Sequence, residues 1–528
     1  GFQLKNERFH SLDAMRGILM VLGIYFHIAL FNYGAESLFF GFFVSQIHYF
    51  RMPAFFLISG FFGALLFYRK GAKNMLINRI KRIFLPLIIL LPPVHILIVF
   101  SDNFSALKKD HNTIDSLIKA LKSLDSYKDF IPVDTTHHLW FLYYLSFIII
   151  IAFLIDKIFD ESSSTGNLRK TFLLLFNRPW VGTLLLCFSF GMLMAVMQKP
   201  YTQGEGVPWG SWLWFLTLSS IKSFIAFCFF YFVGWQIYHH RSLLLNLKVR
   251  RYFILFVPFS IIPFFVLTWL MKIDLSPYDP WNGFFKKEST NKQEVTFIID
   301  MSAEVVKSGE GEYPAVYVSA GIGDSPSGLE MSNIGNGLWT ITTELSRGVH
   351  TYFFRNGLHS NWDDAGWENT QKIIDGGCNY GKHNIRKVRI EDKDLTLGIF
   401  CWSECNTCDG ENIPVAYFKE NNLVKRTYIF IWSMGVPLAV MFWLSIFIQF
   451  FNKPSKNLRY VSDASYWIYI IHQPLAFFVP AFFHQIKISV YLKFIISSIL
   501  VTIICLLSYH FFVRRTFIGQ FLNGRKYD

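Results

Sequence analysis

The sharpest chemical pattern near the start of the chain pairs Arg16 with His27, eleven residues apart. Eleven steps of about 100° return to within roughly 20° of three full turns, so on an α-helix both side chains share one face. With a rise of about 1.5 Å per residue, His27 lies about 16 Å beyond Arg16, near mid-membrane if Arg16 stands at a rim. Asp13 precedes Arg16 by three residues, the spacing for a pair that orients the guanidinium. Imidazole titrates near neutral pH and suits a general base. An ionisable group at that depth is costly unless it faces a polar cavity, which makes it a functional candidate. Taken alone, this helix also allows a histidine that simply hydrogen-bonds a neighbouring helix.

Other polar residues stand in apolar surroundings. Arg51 sits in a hydrophobic run beside Pro53 and needs a partner or a cavity; Glu36 is a candidate counter-charge. Arg79 and Arg82, three apart, project from one helical face at the end of a basic segment. His472 lies between Ile471 and Gln473, while Ser462 and Asp463 open the same run and are placed to cap it. His137 and His138 precede Trp140, where a mouth is as consistent as interfacial anchoring of the kind Trp favours.

The elements that must position these residues are membrane helices. Of 528 residues 52% are hydrophobic and 16% charged, against roughly 25% charged in a soluble domain, and mean hydropathy is +0.33. A span needs about 20 apolar residues. Ten runs qualify, approximately 13–33, 41–68, 83–100, 138–155, 179–197, 210–238, 252–272, 425–451, 460–484 and 490–513. Basic residues gather in segments 69–82, 156–178, 239–251, 452–459 and the C-terminal tail, which the positive-inside rule places in the cytoplasm with both termini. The net charge of +13 therefore reads as topology, and nucleic-acid binding fits poorly because the basic clusters are short. No signal peptide is expected, since the first span would itself direct insertion.

One stretch departs from this pattern. Residues 286–422 hold 13 Lys and Arg against 20 Asp and Glu, an acidic insert in a basic chain, expected outside the cell membrane. Alternating segments such as Val295–Met301, Ala315–Ser319, Leu338–Glu344 and Val349–Arg355 predict a β-sandwich of immunoglobulin-like size. The fold class expected is an all-α polytopic membrane protein with an inserted all-β sandwich, divided as 1–284, 285–424 and 425–528. Cys378, Cys401, Cys405 and Cys408 lie near the end of the insert. The C-x-x-C at 405–408 alone would also suit zinc or redox chemistry, but an exported β-domain with an even count more often holds disulfides. Two disulfides are expected, in any of three pairings, and no metal site.

The segment Phe9-His-Ser-Leu-Asp-Ala-Met-Arg-Gly-Ile-Leu-Met-Val-Leu-Gly-Ile-Tyr-Phe-His27 resembles the opening of the acyltransferase 3 family of membrane O-acyltransferases, whose mark is Arg-x10-His. The likeness continues through Phe50–Phe62, Asn78–Pro86, His137–Leu145, Phe230–Tyr238 and Val461–Pro474, which with the opening makes six segments in order. The ending "SDASYWIYIIHQP" is similar to the branch of periplasmic-glucan succinyltransferases. The resemblance implies transfer of an acyl group, acetyl or succinyl, from cytoplasmic acyl-CoA to a sugar hydroxyl at the outer face of a bacterial inner membrane, with no tightly bound cofactor. His27 is then the essential base, or an acyl-histidine carrier. CoA phosphates require fixed positive charge, for which Arg79, Arg82 and Arg16 are the candidates, with Arg51 behind them. His472, His137, His138 and Trp140 would face the acceptor, though helix packing accounts for His472 equally well.

Within the insert, "EVTFIIDMS", "GLWTITTELSRGVHTYFFRNG" and "NWDDAGWEN" resemble carbohydrate-binding modules of the starch- and glycogen-binding type. Trp362 and Trp367, in a polar loop, are candidates for a flat platform on which a sugar stacks; Trp339 and Tyr352 read as core. A spacer or protein-contact domain is the alternative. For the whole chain, the rival to an acyltransferase is a carbohydrate transporter or sensor, although neither inverted repeats nor paired broken helices are evident.

Overall fold

The computed structural model describes residues 9–262 apart from 35, 126–129, 133–134, 159–162 and 198–217; residues 292–408 apart from 324, 347, 377, 380–382 and 391–392; and residues 422–524. The chain divides into a helical unit, 1–264 with 422–528, and a second unit, 265–421.

In the helical unit, α1 (His10–Ile28) runs into a π-turn over Ala29–Tyr33. α2 (Leu38–Lys70) stops at Gly71, whose φ of +82° suits only glycine well. α3 (Ala72–Arg79), a π-turn (Ile80–Phe84) and α4 (Leu85–Leu107) follow as one continuous helical stretch. The segment 69–82, expected as a loop, is therefore helical from Ala72 onward, because nothing after Gly71 breaks the helix. Two further expected loops contain helices, α5 (Thr113–Lys122) and, after α6 (Trp140–Ile158), α7 (Ser163–Asn177). α8 (Pro179–Val196), α9 (Leu218–His239) and α10 (Val249–Phe256) complete the first part.

Eight stretches among the described residues are long and apolar enough to cross a membrane. Of the ten expected spans, 252–272 is described only as far as 262, where α10 continues into a π-turn. The span at 460–484 is a helix that is less apolar than the rest. Its polar residues Ser462, Asp463, Ser465, His472 and Gln473 are buried, turned towards neighbouring helices instead of lipid. Glycines allow such close packing. A Cβ at Gly60 of α2 would lie 1.9 Å from the Tyr231 carbonyl oxygen of α9, and one at Gly234 of α9 would lie 1.8 Å from that of Leu57.

The second unit is a sandwich of two four-stranded sheets. β1 (Lys292–Asp300), β2 (Val316–Ser319), β3 (Leu329–Glu330), β4 (Ser332–Gly335), β5 (Leu338–Ser346) and β6 (Gly348–Asn356) precede a short helix, α11 (Thr370–Asp375), and β7 (Arg386–Ile390) and β8 (Leu395–Cys401) follow it. The sheet orders are β4-β5-β1-β8 and β3-β2-β6-β7. β1 pairs antiparallel with β5 and parallel with β8. Every second residue of β1 (Val295, Phe297, Ile299) points inward, meeting Val316, Val318, Tyr352 and Phe354 of the other sheet, and Trp339 also joins this core. Disulfides join Cys378 to Cys405 and Cys401 to Cys408, one of the three pairings left open.

Three helices close the chain after the sandwich: α12 (Asn422–Phe450), α13 (Lys456–Ala481) and α14 (Val490–Ser508), followed by a π-turn and the short α15 (Phe517–Asn523). α13 packs along α1 and also against α4 and α14, so residues from opposite ends of the sequence meet.

Candidate active site

A cavity of about 730 Å³ lies in the helical unit. One end is charged, lined by Asp13, Arg16, Lys70, Arg79, Arg82 and Asp463; further along, the wall turns apolar with Met20, Phe55, Ile58, Phe141, Leu142 and Leu145. The polarity gradient follows α1: Met20 lies one turn beyond Arg16, and His27 about 10 Å beyond Met20 at a rise of 1.5 Å per residue.

At the charged end, Arg16 reaches the Ser462 hydroxyl at 3.0 Å and stands 3.8 Å from Asp13. The Nε atoms of Arg16 and Arg79 are buried with no hydrogen-bond partner among the described residues. Arg82 is engaged differently: its Nη1 donates to the carbonyls of Gln520 (2.8 Å) and Phe521 (2.7 Å). These belong to the last turn of α15, where a cation complements the negative end of the helix dipole. Arg82 therefore lines the cavity while tethering the C-terminal helix to it. The π-turn that carries Arg82, like the one that follows His27, shifts the helix phase beside the site.

Deeper in the unit, His27 is buried, with Nδ1 2.9 Å from the Gly23 carbonyl oxygen and 2.9 Å from Nε2 of His472. Nδ1 of His472 in turn faces the carbonyls of Ile468 (2.9 Å) and Tyr469 (2.8 Å). His138 completes the cluster, its ring 5.0 Å from that of His472. Its Nε2 donates to the Tyr469 carbonyl at 2.7 Å, and its buried Nδ1 has no partner among the described residues. Tyr469 links cluster and cavity: it lines the cavity, and its hydroxyl donates to the His138 carbonyl at 2.5 Å. The Arg51 guanidinium lies 4.6 Å from the centre of the Phe26 ring. It also packs on Gly23, where a Cβ would come 2.1 Å from Nη1. Its charge acts on both His27 and His472. Glu36, the candidate counter-charge, follows the π-turn and makes no ion pair with Arg51 among the described residues.

The structure thus groups Arg16, Arg79 and Arg82 with Asp13 around the cavity, and His27, His138, His472 and Arg51 in a cluster that Tyr469 joins to it. Two other candidates lie apart from these groups. His137, at φ +45°, bonds His95 across 2.6 Å, and Trp140 is packed against Phe227 and Tyr144. Lys70, Asn78, Tyr466 and Asn523 line the cavity without having been singled out. Lys70 and Asn78 carried the signal of a basic stretch beside a span, whereas nothing local marks Asn523.

Residues 9–286, more than half of the chain, match the acyltransferase domain family. The chain belongs to the acyltransferase 3 family. The match covers the helices that carry Arg16, His27, Arg51, Arg79 and Arg82, while α13 with His472 lies beyond it. Glucans biosynthesis protein C of Salmonella paratyphi B is 29% identical over 204 residues, 36% of this chain and 49% of that protein. Its counterpart in Escherichia coli K12 is 38% identical over 94 residues, 16% of this chain and 24% of that protein. The chain therefore spans between about a quarter and a half of the length of these curated relatives. No solved structure matches it.

In the sandwich, Trp362 and Trp367 stack with ring planes 4° apart and centroids 6.1 Å apart. Trp367 Nε1 donates to the Trp362 carbonyl at 3.0 Å. Trp367 is covered by Arg355, 4.1 Å from its ring centre, which leaves Trp362, 50% exposed, as the outer ring.

Proposed function

We propose that this protein is an integral-membrane O-acyltransferase that moves an acetyl or succinyl group from cytoplasmic acyl-CoA to a hydroxyl of a periplasmic or cell-surface glycan. The observation that carries the reading is the cavity, lined by Arg16 and Arg79 with their open Nε atoms and joined through Tyr469 to the cluster of the buried histidine in the helix that marks the family. Arg16 and Arg79, with Lys70 beside them, are placed to hold the donor's phosphates through charge-assisted hydrogen bonds. The apolar wall beyond them suits the donor's arm and acyl group. His27 takes the acceptor hydroxyl proton on Nε2 as the hydroxyl oxygen forms its bond to the thioester carbonyl carbon. The carbon–sulfur bond then breaks, and the departing thiolate recovers the proton from His27, so no net proton is released. The open Nδ1 of His138 accepts a hydrogen bond from the same or a neighbouring hydroxyl, and Arg51 offers positive charge where the tetrahedral oxyanion develops.

A glucan acceptor is supported by the names of the relatives, and the basic clusters support cytoplasmic termini in a bacterial inner membrane with the sandwich outside. The Trp362 and Trp367 pair is the proposed glycan contact of the sandwich, which would raise the local concentration of acceptor without taking part in the chemistry.

Expression of the wild-type chain and of His27→Ala in a host lacking such activity, followed by mass spectrometry of its periplasmic and surface glycans, tests the reading. A gain of acetyl or succinyl mass with wild type that falls at least about 10²-fold in the variant supports it. No gain with either chain, with both in the membrane and acceptors present, overturns it in favour of transport or sensing.

A further inference from the structure

We infer that His472 is a positioning residue for His27, the two imidazoles forming a hydrogen-bonded pair that makes Nε2 of His27 the nitrogen presented to substrate. The inference rests on the acyl-transfer reading above and gives His472 a different role from the acceptor contact expected of it.

The argument runs through the protons. Nδ1 of His472 faces two backbone carbonyl oxygens, at 2.9 and 2.8 Å. Carbonyls only accept, so this nitrogen carries the hydrogen and the neutral ring keeps its lone pair on Nε2. That lone pair is 2.9 Å from Nδ1 of His27, which also lies 2.9 Å from the Gly23 carbonyl oxygen. A nitrogen held between two acceptors must be an N–H donor, shared as a three-centre bond. The remaining nitrogen of His27, Nε2, is then the basic one, and it takes no hydrogen bond among the described residues.

Orientation is held as firmly as the tautomer. The His27 ring stacks on Phe31 (18° between planes), which stacks on Phe477 of α13 (19°), and His472 is 1% exposed, with no room to swing away. Once His27 has taken the hydroxyl proton, its Nδ1–H becomes a charge-assisted donor and the bond to His472 strengthens. The groups that face the pair are Arg51 of α2 and His138 ahead of α6. The second imidazole therefore orients and supports the first while reaching neither donor nor acceptor.

The test uses the purified full-length chain reconstituted in lipid, with acetyl-CoA or succinyl-CoA and a glucan acceptor. His472→Phe keeps a flat ring and removes the acceptor lone pair, while His472→Gln keeps an acceptor oxygen and cannot take a proton. A fall in kcat of about 10²-fold for Phe, the scale set by losing alignment of a catalytic group, is expected with KM for both substrates within about threefold of wild type. Gln is expected to recover most of that loss. Phe with kcat near wild type, or both variants raising the acceptor KM at unchanged kcat, would overturn the pairing. A measurement independent of turnover is ¹⁵N NMR of the histidine-labelled chain, with His27 assigned by its loss in His27→Gln. Wild type should show His27 protonated at Nδ1 alone; protonation at Nε2 would sink the proposal even if His472→Phe failed to fold. A chain inactive with every donor and acceptor tried counts against the acyl-transfer reading, and the NMR result still decides the pairing.

Discussion

Arginines with buried guanidinium nitrogens occur in both units, and their hydrogen bonding differs. In the sandwich, Arg355 is 0% exposed and its guanidinium is taken up by the protein, donating to the carbonyls of Pro326, Asn361, Asp364 and Ala365. Arg386 is likewise occupied, paired with the buried Glu368 carboxylate and the Glu404 carbonyl. In the helical unit, Arg16 and Arg79 border a cavity with Nε atoms that nothing among the described residues accepts. A buried polar group left open costs free energy, and two such atoms beside one cavity fit the donor-binding role proposed for Arg16 and Arg79. The same residue type is tied up by the protein at Arg355, Arg386 and Arg82 and left partly open at Arg16 and Arg79, a difference that hydrogen bonding shows where residue type cannot.

The sharpest way to break this comparison is Arg355→Met. Hydrogen bonds to a charged group are worth about 1.5–3 kcal/mol each, so loss of the Arg355 staple is expected to destabilise the sandwich by several kcal/mol. Pulse proteolysis of the full-length chain, read by cleavage within 357–367, should show it, while acyl transfer to a small soluble acceptor persists. An unchanged cleavage midpoint would mean that Arg355 is no staple. The next effect in size belongs to Arg79→Gln. Charge-assisted hydrogen bonds are worth about 1.5–3 kcal/mol, so the donor KM should rise about ten- to a hundredfold. The thermal midpoint should hold or rise, because no hydrogen bond of Arg79 to the described residues is lost. A fall in stability without a change in donor KM would make Arg79 a staple like Arg355.

The residues that were legible in the sequence are those whose signal is local. The eleven-residue spacing of Arg16 and His27 survives as a shared helix face because α1 is regular from His10 to Ile28. The strands β1, β5 and β6 were visible because each alternates over seven or more residues, whereas β3 and β4, of two and four residues, are too short to show a period. α5 and α7 were hidden in segments judged by charge, which speaks to topology and not to helicity. The bond between His27 and His472 spans 445 positions, and no pattern within either segment encodes it; it follows from α13 packing along α1. The tether between Arg82 and α15 is equally non-local, since its acceptors are backbone carbonyls that any residue would supply. The disulfide pairing needed the sheet register, because four cysteines within 31 residues reach one another in every combination.

The smallest effect, and the one that refines the comparison most, is expected at Trp362. Its outer ring is half exposed and rests on Trp367, while the loop backbone is held by Arg355 and not by the Trp362 side chain. Removing an exposed ring of this kind usually leaves stability within about 0.5 kcal/mol, so Trp362→Ala should leave the proteolysis midpoint where Arg355→Met moves it. A sugar stacked on the platform would lose its contact, and the loss should be visible only where one molecule can occupy both the platform and the membrane pocket. A long glucan should therefore show an acceptor KM raised about threefold at unchanged kcat, and a short acceptor no change at all, as expected when tethering acts through local concentration. Equal effects on long and short acceptors would place Trp362 in contact with the reaction itself. No effect on either, with the platform intact, would leave Trp362 without a part in acceptor binding and favour a spacer or protein-contact role for the sandwich.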